Sequence, residues 1–282
     1  MEYGKLYVVP TPIGNLKDIT LRAIEVLESV DIIAAEDTRQ SLKLLNHFNI
    51  RKPMISYHKF NEQNKSESII ELLKDGKNIA LVSDAGTPGV SDPGSVIINK
   101  CLEESIGYIV LPGATALITS LVYSGLDTTK FIFRGFFPRE TKERKKVLED
   151  IIEREETILF YEAPHRLLEA LSFICENLGN RNLAICRELT KIHEEIFRGT
   201  IKNAINHFSN KQIKGEIVLV IQGKSKKEIF EEKKAKWENI SIKQHIINYM
   251  EQGKSKKEAI KLVSNERALP KSEVYKFSID IE

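Results

Sequence analysis

Residues 82–94 read VSDAGTPGVSDPG, with Asp84 and Asp92 set among three glycines and two prolines. Glycine lets a backbone come close to a ligand, and proline fixes a loop before anything binds, which lowers the ordering cost. Asp84, at the lip, could accept a hydrogen bond from a hydroxyl or balance a cation. Two other loops share this character, PTPIGNLKDIT (10–20) and PGATA (112–116). One such loop alone is an ordinary turn. Three of them, leaving the apolar runs LYVV, NIALV and GYIVL, point to one ligand cradle, because ligands of open α/β sheets sit outside the carboxyl ends of the strands. No G-x-G-x-x-G opens a helix and no G-x-x-x-x-G-K-[ST] occurs, which argues against ordinary dinucleotide and P-loop nucleotide binding.

The elements that must carry these loops alternate. KLYVVP reads as a strand, and TLRAIEVLESV as a helix with Leu21, Ile24, Leu27 and Val30 on one face. DIIAAED, PMISYH, KNIALVS and GYIVLPG read as strands or extended segments. TRQSLKLLNHFNI, NEQNKSESIIELLKDG and GSVIINKCLEES read as the helices between them. KNIALVS is apolar on both faces, as a central parallel strand should be. The pattern predicts an α/β lobe over 1–112 with a mostly parallel sheet. A second lobe, 113–224, ends in RNLAICREL, EEIFRGT and GEIVLVIQG with short connections, which predicts antiparallel pairing and a mixed sheet. Residues 225–282 read as a charged linker and three short helices with Ser or Pro starts.

Composition bounds the rest. With 282 residues, 41% hydrophobic and 29% charged, the chain suits two globular domains and is neither disordered nor fibrous. The apolar runs are too short to span a membrane, and the N-terminus lacks the pattern of a secretory signal. Cys101, Cys175 and Cys186 are far apart and odd in number, without metal-ligand spacing. They read as buried thiols in a reducing cytoplasm, with no metal site. Net charge is +2. Residues 226–282 hold 13 Lys+Arg against 10 Asp+Glu, so the small excess belongs to the tail. No global field attracts polyanions, and any nucleic acid must be held by local basic patches.

Taken in order, LYVVPTPIGNLKDITLRAIEVLESVDIIAAEDTR, ALVSDAGTPGVSDPG, LPGATALITSL, FYEAPHRL and RELTKIHEEIFRGT resemble the ribosomal small-subunit methyltransferase I family of the tetrapyrrole-methylase superfamily. The resemblance spans residues 5–223, and the tail is similar to the family's helix-turn-helix-like extension. It implies two α/β lobes with a cofactor cleft between them. The implied activity is S-adenosyl-L-methionine-dependent methylation of a cytidine 2′-hydroxyl in 16S rRNA of the small ribosomal subunit, usually by a homodimer. It also implies that Pro12 lines the methionine side and that Asp84, Ala85 and Gly86 wrap the cofactor. Thr115 and Ala116 would hold it from the next loop, and Glu162 and Leu189 would flank the adenosine. Tetrapyrrole members carry a glycine-rich first loop where this chain has TPIGN, which favours the RNA branch over a small macrocycle.

Methyl transfer to a ribose oxygen needs in-line alignment, exclusion of water and removal of the hydroxyl proton. The candidate bases are Glu36 and Asp37 in AEDTR, Glu162 and His165 in YEAPHR, and Glu188 and Lys191 in RELTK. Arg39 and Arg166 could bind phosphate. So could Arg139, Lys142, Arg144 and Lys145 in FFPRETKERKK, beside Phe136 and Phe137, unless that run is a solvated helix face. The alternatives are a tetrapyrrole methyltransferase and a non-catalytic RNA-binding protein.

Overall fold

The computed structural model describes residues 3–225, 228, 229, 231, 237 and 239–281. The first sheet takes the strands β1 (Leu6–Val8), β2 (Ile32–Ala35), β3 (Met54–Ser56), β4 (Ile79–Val82) and β5 (Tyr108–Val110) in the order β3-β2-β4-β1-β5. Every pairing in it is parallel. β4 is central and buried at all four residues, as its two-sided apolar sequence requires.

Helices cover both faces. α1 (Leu21–Ser29) and α2 (Thr38–His47) lie on one face, over a core that includes Val9, Leu27, Ile33, Leu45 and Val82. α3 (Glu62–Lys74) and α4 (Ser95–Glu103) lie on the other, over Leu6, Ile69, Leu73, Ile79 and Ile97. The polar residues before α1 and α2 end the extended chain. Thr20 accepts a side-chain cap bond from the Ala23 N–H, and Asp37 accepts one from the Arg39 N–H. Because β4, β1 and β5 are neighbours, the three Gly-Pro loops leave one sheet edge side by side.

The second sheet is mixed. Its strands β6 (Phe131–Phe136), β7 (Thr157–Glu162), β8 (Asn182–Arg187), β9 (Glu195–Thr200) and β10 (Ile217–Ile221) run in the order β6-β7-β10-β8-β9. Only β6 and β7 pair in parallel. One face is covered by α6 (Thr141–Ile151), α7 (Leu167–Leu178) and α8 (Ile201–Phe208), over Phe160, Ile174, Phe208 and Leu219. The opposite face, with Leu159, Ala184, Cys186 and Val218, meets Leu121 of α5 (Ala116–Ser124) and Ile13 from the first lobe. This is the seam between the lobes.

The tail forms α9 (Ile242–Glu251), α10 (Lys256–Glu266) and α11 (Lys271–Lys276) around Ile246, Ala259, Val263 and Val274. Ser241 and Ser255 cap α9 and α10, the latter in a reciprocal capping box with Glu258. The charged linker before them falls largely outside the described residues. Among the described residues, no helix is long and apolar enough to cross a membrane.

The basic run on α6 departs from expectation at one residue. Arg139, Lys142 and Lys145 are exposed, but Arg144 is only 4% exposed. Its guanidinium donates to Pro138 O at 2.9 Å and to Glu169 Oε1 at 2.6 Å, and it lies 5.6 Å from the ring centroids of Phe137 and Phe173. Arg144 faces the core, so it is unavailable to a phosphate. Helical periodicity put it in line with Leu148 and Ile151 on the buried face of α6.

Candidate active site

The three loops are stitched together by their own backbone and hydroxyl groups. Thr11 and Gly86 exchange N–H···O bonds of 2.9 and 3.0 Å in an antiparallel bridge. The Thr11 hydroxyl donates to Ser83 O at 3.1 Å, and the Thr87 hydroxyl donates to Ala114 O at 3.3 Å. Gly86 sits at φ +79°, in the left-handed region that glycine adopts at least cost. The loop after β2 is tied in by reciprocal carboxylate contacts. Asp84 Oδ1 accepts from the Asp37 N–H at 3.1 Å, and Glu36 Oε2 accepts from the Asp84 N–H at 3.4 Å.

From the second lobe comes the turn after β8. Glu188 and Thr190 hold positive φ, 52° and 64°. The Glu188 carboxylate pins the turn by accepting from the Glu216 N–H at 3.0 Å and from Lys191 Nζ at 2.8 Å. Gly14 of the first lobe docks directly onto this turn. A Cβ there would lie 2.5 Å from Lys191 Cγ, 2.6 Å from Thr190 Oγ1 and 2.7 Å from Leu189 O.

Between these elements lies a cavity of about 430 Å³. Asp84, Ala85, Gly86, Thr115, Ala116, Glu162 and Leu189 all line it, together with Glu36. Pro12 lines an adjoining cavity instead, along with Lys191. Asp37, His165 and Glu188 line neither. Asp37 is spent on capping α2 and on Arg39 Nη2 at 3.0 Å, His165 is exposed on a single 3₁₀ turn, and Glu188 faces Lys191 and β10. Arg166 donates to Phe137 O and Pro138 O at 2.8 Å and lies 3.6 Å from Glu162, so it braces the wall.

The cavity also takes in Asp92, Phe136, Tyr161, Cys186, Glu216 and Val218, which sequence reasoning did not assign. Asp92 had a signal, since it belongs to the same Gly-Pro loop as Asp84. Tyr161 is the residue before Glu162. Nothing local marked Glu216, which comes to the site only because β10 pairs with both β7 and β8.

Electrostatically the cavity is acidic. Burial, with the charges of Glu36, Asp84 and Glu216, pushes the Asp92 carboxyl up to about 7. Burial raises Asp84 as well, against the hydrogen bond from the Asp37 N–H. It raises Glu36 too, with Asp84 and Asp37 adding to the effect. Glu162 is 1% exposed. Its Oε1 accepts from the Ala163 N–H at 2.7 Å, while Oε2 has no hydrogen-bond partner. Burial raises this group also, with Arg166 working the other way. Lys191 is different. Burial alone would lower its ammonium, but hydrogen bonds to Glu188 and Glu216 outweigh that and hold it above its ordinary value.

These features fit a zwitterionic methyl donor. Desolvated carboxylates suit a positive sulfur and an amino group. α5 opens at the cavity wall, and its N-cap residue Thr115 makes no side-chain cap bond, which leaves first-turn N–H groups for a ligand carboxylate. The buried Glu162 Oε2 can accept from a ligand donor.

Two α/β lobes with an acidic cleft at the carboxyl ends of a parallel sheet define an α/β protein that binds a small ligand between its lobes. The profile of the Tetrapyrrole (Corrin/Porphyrin) Methylases matches residues 5–205. The ribosomal RNA small subunit methyltransferase I of Bacillus subtilis (strain 168) is 51% identical over 275 residues, covering 97% of this chain and 94% of that one. Its counterpart from Synechocystis sp. is 44% identical over 280 residues, covering 99% of both. Among solved structures, a diphthine synthase superposes with a TM-score of 0.63 at 14% identity, over 81% of this chain and 94% of that one. The methyltransferase CobJ gives 0.61 at 15%, over 78% and 94%. Those two show the fold. The chain belongs to the ribosomal RNA small subunit methyltransferase I family, within the tetrapyrrole methylases. Its cofactor is S-adenosyl-L-methionine.

Proposed function

We propose that this enzyme methylates the 2′-hydroxyl of a cytidine in 16S rRNA of the small ribosomal subunit, in the cytoplasm and as a homodimer. The observation that carries the chemistry is the convergence of Glu36, Asp84, Asp92, Glu162 and Glu216 on one half-enclosed cavity. The relatives' names carry the rRNA substrate. When bound, S-adenosyl-L-methionine supplies the methyl group on a positively charged sulfur. Asp84, Ala85 and Gly86 would wrap it through backbone and carboxylate, the start of α5 at Thr115 and Ala116 would hold it from the next loop, and Leu189 would offer it an apolar wall. Glu162 Oε2 would accept a hydrogen bond from a donor on it.

Asp84 stands in the wall shared by both cavities. We assign it the task of holding the ribose hydroxyl and taking its proton, because it stands where the cofactor cavity meets the adjoining one and a cationic cofactor would keep it ionised. Lys191 is a weaker candidate for the base, since its ion pairs with Glu188 and Glu216 favour its protonated form. The exposed Arg139, Lys142 and Lys145 remain positioned to meet RNA phosphates. Mass analysis of 16S rRNA from cells lacking the chain tests the proposal. Loss of one cytidine ribose methyl, restored by the wild-type chain and not by Asp84→Asn, is expected. Unchanged rRNA overturns it.

A further inference from the structure

A second cavity of about 390 Å³ adjoins the cofactor cavity. The two share Ile13, Asp84, Ala85 and Glu216. Its remaining walls differ in kind. Pro12, Leu16 and Leu44 give apolar surface, and Gln40, Lys43 and Lys191 give polar surface. Lys191 is neutralised by Glu188 at 2.8 Å and Glu216 at 3.1 Å. Lys43 is exposed on α2, donates to Gln40 Oε1 at 3.1 Å and, among the described residues, pairs with no carboxylate. At the rim, Leu16 is partly uncovered, and Ile192, the residue after Lys191, is 97% exposed.

We propose that this second cavity seats the acceptor nucleotide of the RNA strand, taken out of its stack. Its base lies against Pro12, Leu16 and Leu44, its phosphate on Lys43, and its ribose toward the Asp84–Ala85 wall. The inference rests on the methyl-transfer reading above and gives that reaction its acceptor side. Three features support it. The volume falls in the range of small-ligand sites and suits one nucleotide, whereas a duplex cannot enter. Chemistry on a ribose that must reach the wall shared with the cofactor cavity favours a target splayed out of its stack. Glu36, Asp92 and Glu162 line the cofactor cavity alone and disfavour phosphate there, whereas the second cavity, though it shares Asp84 and Glu216, offers Lys43 as a cation with no carboxylate partner among the described residues.

The test uses the full chain loaded with S-adenosyl-L-methionine. Lys43→Gln and Leu16→Trp are compared with wild type in methyl incorporation into purified small subunits, in cofactor affinity by calorimetry, and in the salt dependence of binding to a single-stranded RNA oligonucleotide. Lys43→Gln should raise KM for the subunit by about fivefold to tenfold and reduce the salt slope by about one, as loss of one phosphate contact does. Leu16→Trp, which fills the cavity from an exposed position, should abolish methylation. Both variants should bind cofactor as wild type does. The proposal is overturned if wild type methylates rRNA and both variants keep its KM and salt slope. If wild type leaves rRNA unmethylated, the methyl-transfer reading falls and takes this proposal with it.

Discussion

Lowering the pH from 8 to 6 should weaken cofactor binding about tenfold more in wild type than in Asp92→Asn. The cavity holds the Asp92 carboxyl at about 7, chiefly through burial and then through Glu36, Asp84 and Glu216. A cationic ligand beside these groups favours the ionised form and draws that value down. With a pKa of about 7, roughly one-tenth of Asp92 is ionised at pH 6 before binding, so restoring the charge costs about 1.4 kcal/mol, a factor of about ten. At pH 8 the same cost is close to zero. The sign is therefore tighter binding as pH rises through 7, with a proton released on binding below it. Protein stability without cofactor runs the other way. The folded state holds the Asp92 proton up to about 7 and the unfolded chain loses it near 3.8, so this group's contribution falls as pH rises across that window. Calorimetry on both proteins at each pH is the assay, and the wild-type to variant ratio cancels titration of the ligand's own amino group. Parallel pH profiles for the two proteins would refute the reasoning, whatever the absolute affinities.

Three further outcomes are expected. Glu162→Gln should weaken cofactor binding about tenfold by calorimetry, the loss of roughly 1.4 kcal/mol that one hydrogen bond to a charged group supplies, and unaltered affinity would show that its unpartnered Oε2 faces no ligand donor. Gly14→Ala should lower stability by about 1–3 kcal/mol in denaturant melts, because the added Cβ meets Leu189, Thr190 and Lys191 at under 3 Å; a wild-type midpoint would mean the lobes give way at no cost. Arg144→Ala should destabilise by roughly 2 kcal/mol while leaving the salt slope of RNA binding unchanged, whereas Lys145→Glu should lower the slope with stability within about 0.5 kcal/mol of wild type. The reverse pattern would restore Arg144 as a phosphate ligand.

What the sequence made legible was local. The strand runs KLYVVP and KNIALVS, the helix start at Thr20 and the Gly-Pro loops are each written in a few neighbouring residues, through periodicity and turn chemistry. The strand-end rule brought the three Gly-Pro loops to one edge, because β4, β1 and β5 are neighbours, whereas the naming of Asp84, Ala85, Gly86, Thr115 and Ala116 within them came from the family resemblance. Glu216 was illegible because its place depends on β10 lying between β7 and β8, a pairing that no local pattern states. Arg144 misled because a charged residue in a charged run reads as exposed until the buried face of α6 is fixed by Leu148 and Ile151. Pro12 lines the second cavity, which adjoins the first and shares Ile13 with it.

Neither lobe makes the site alone. The first lobe brings Glu36, Asp84, Asp92 and the loop around Gly86, and the second brings Tyr161, Glu162, Leu189 and Glu216. In the joined site burial raises Glu36, Asp84, Asp92 and Glu162 together. The docking depends on contacts away from the charges. Ile13 inserts among Leu159, Cys186 and Val218, and Gly14 permits close approach to the turn at Glu188–Thr190. Like charges brought together in this way oppose the seam that joins them, so the apolar packing there must exceed their repulsion. A bound cation removes the repulsion, so the cofactor should tighten the joint between the lobes in proportion to the charge it neutralises.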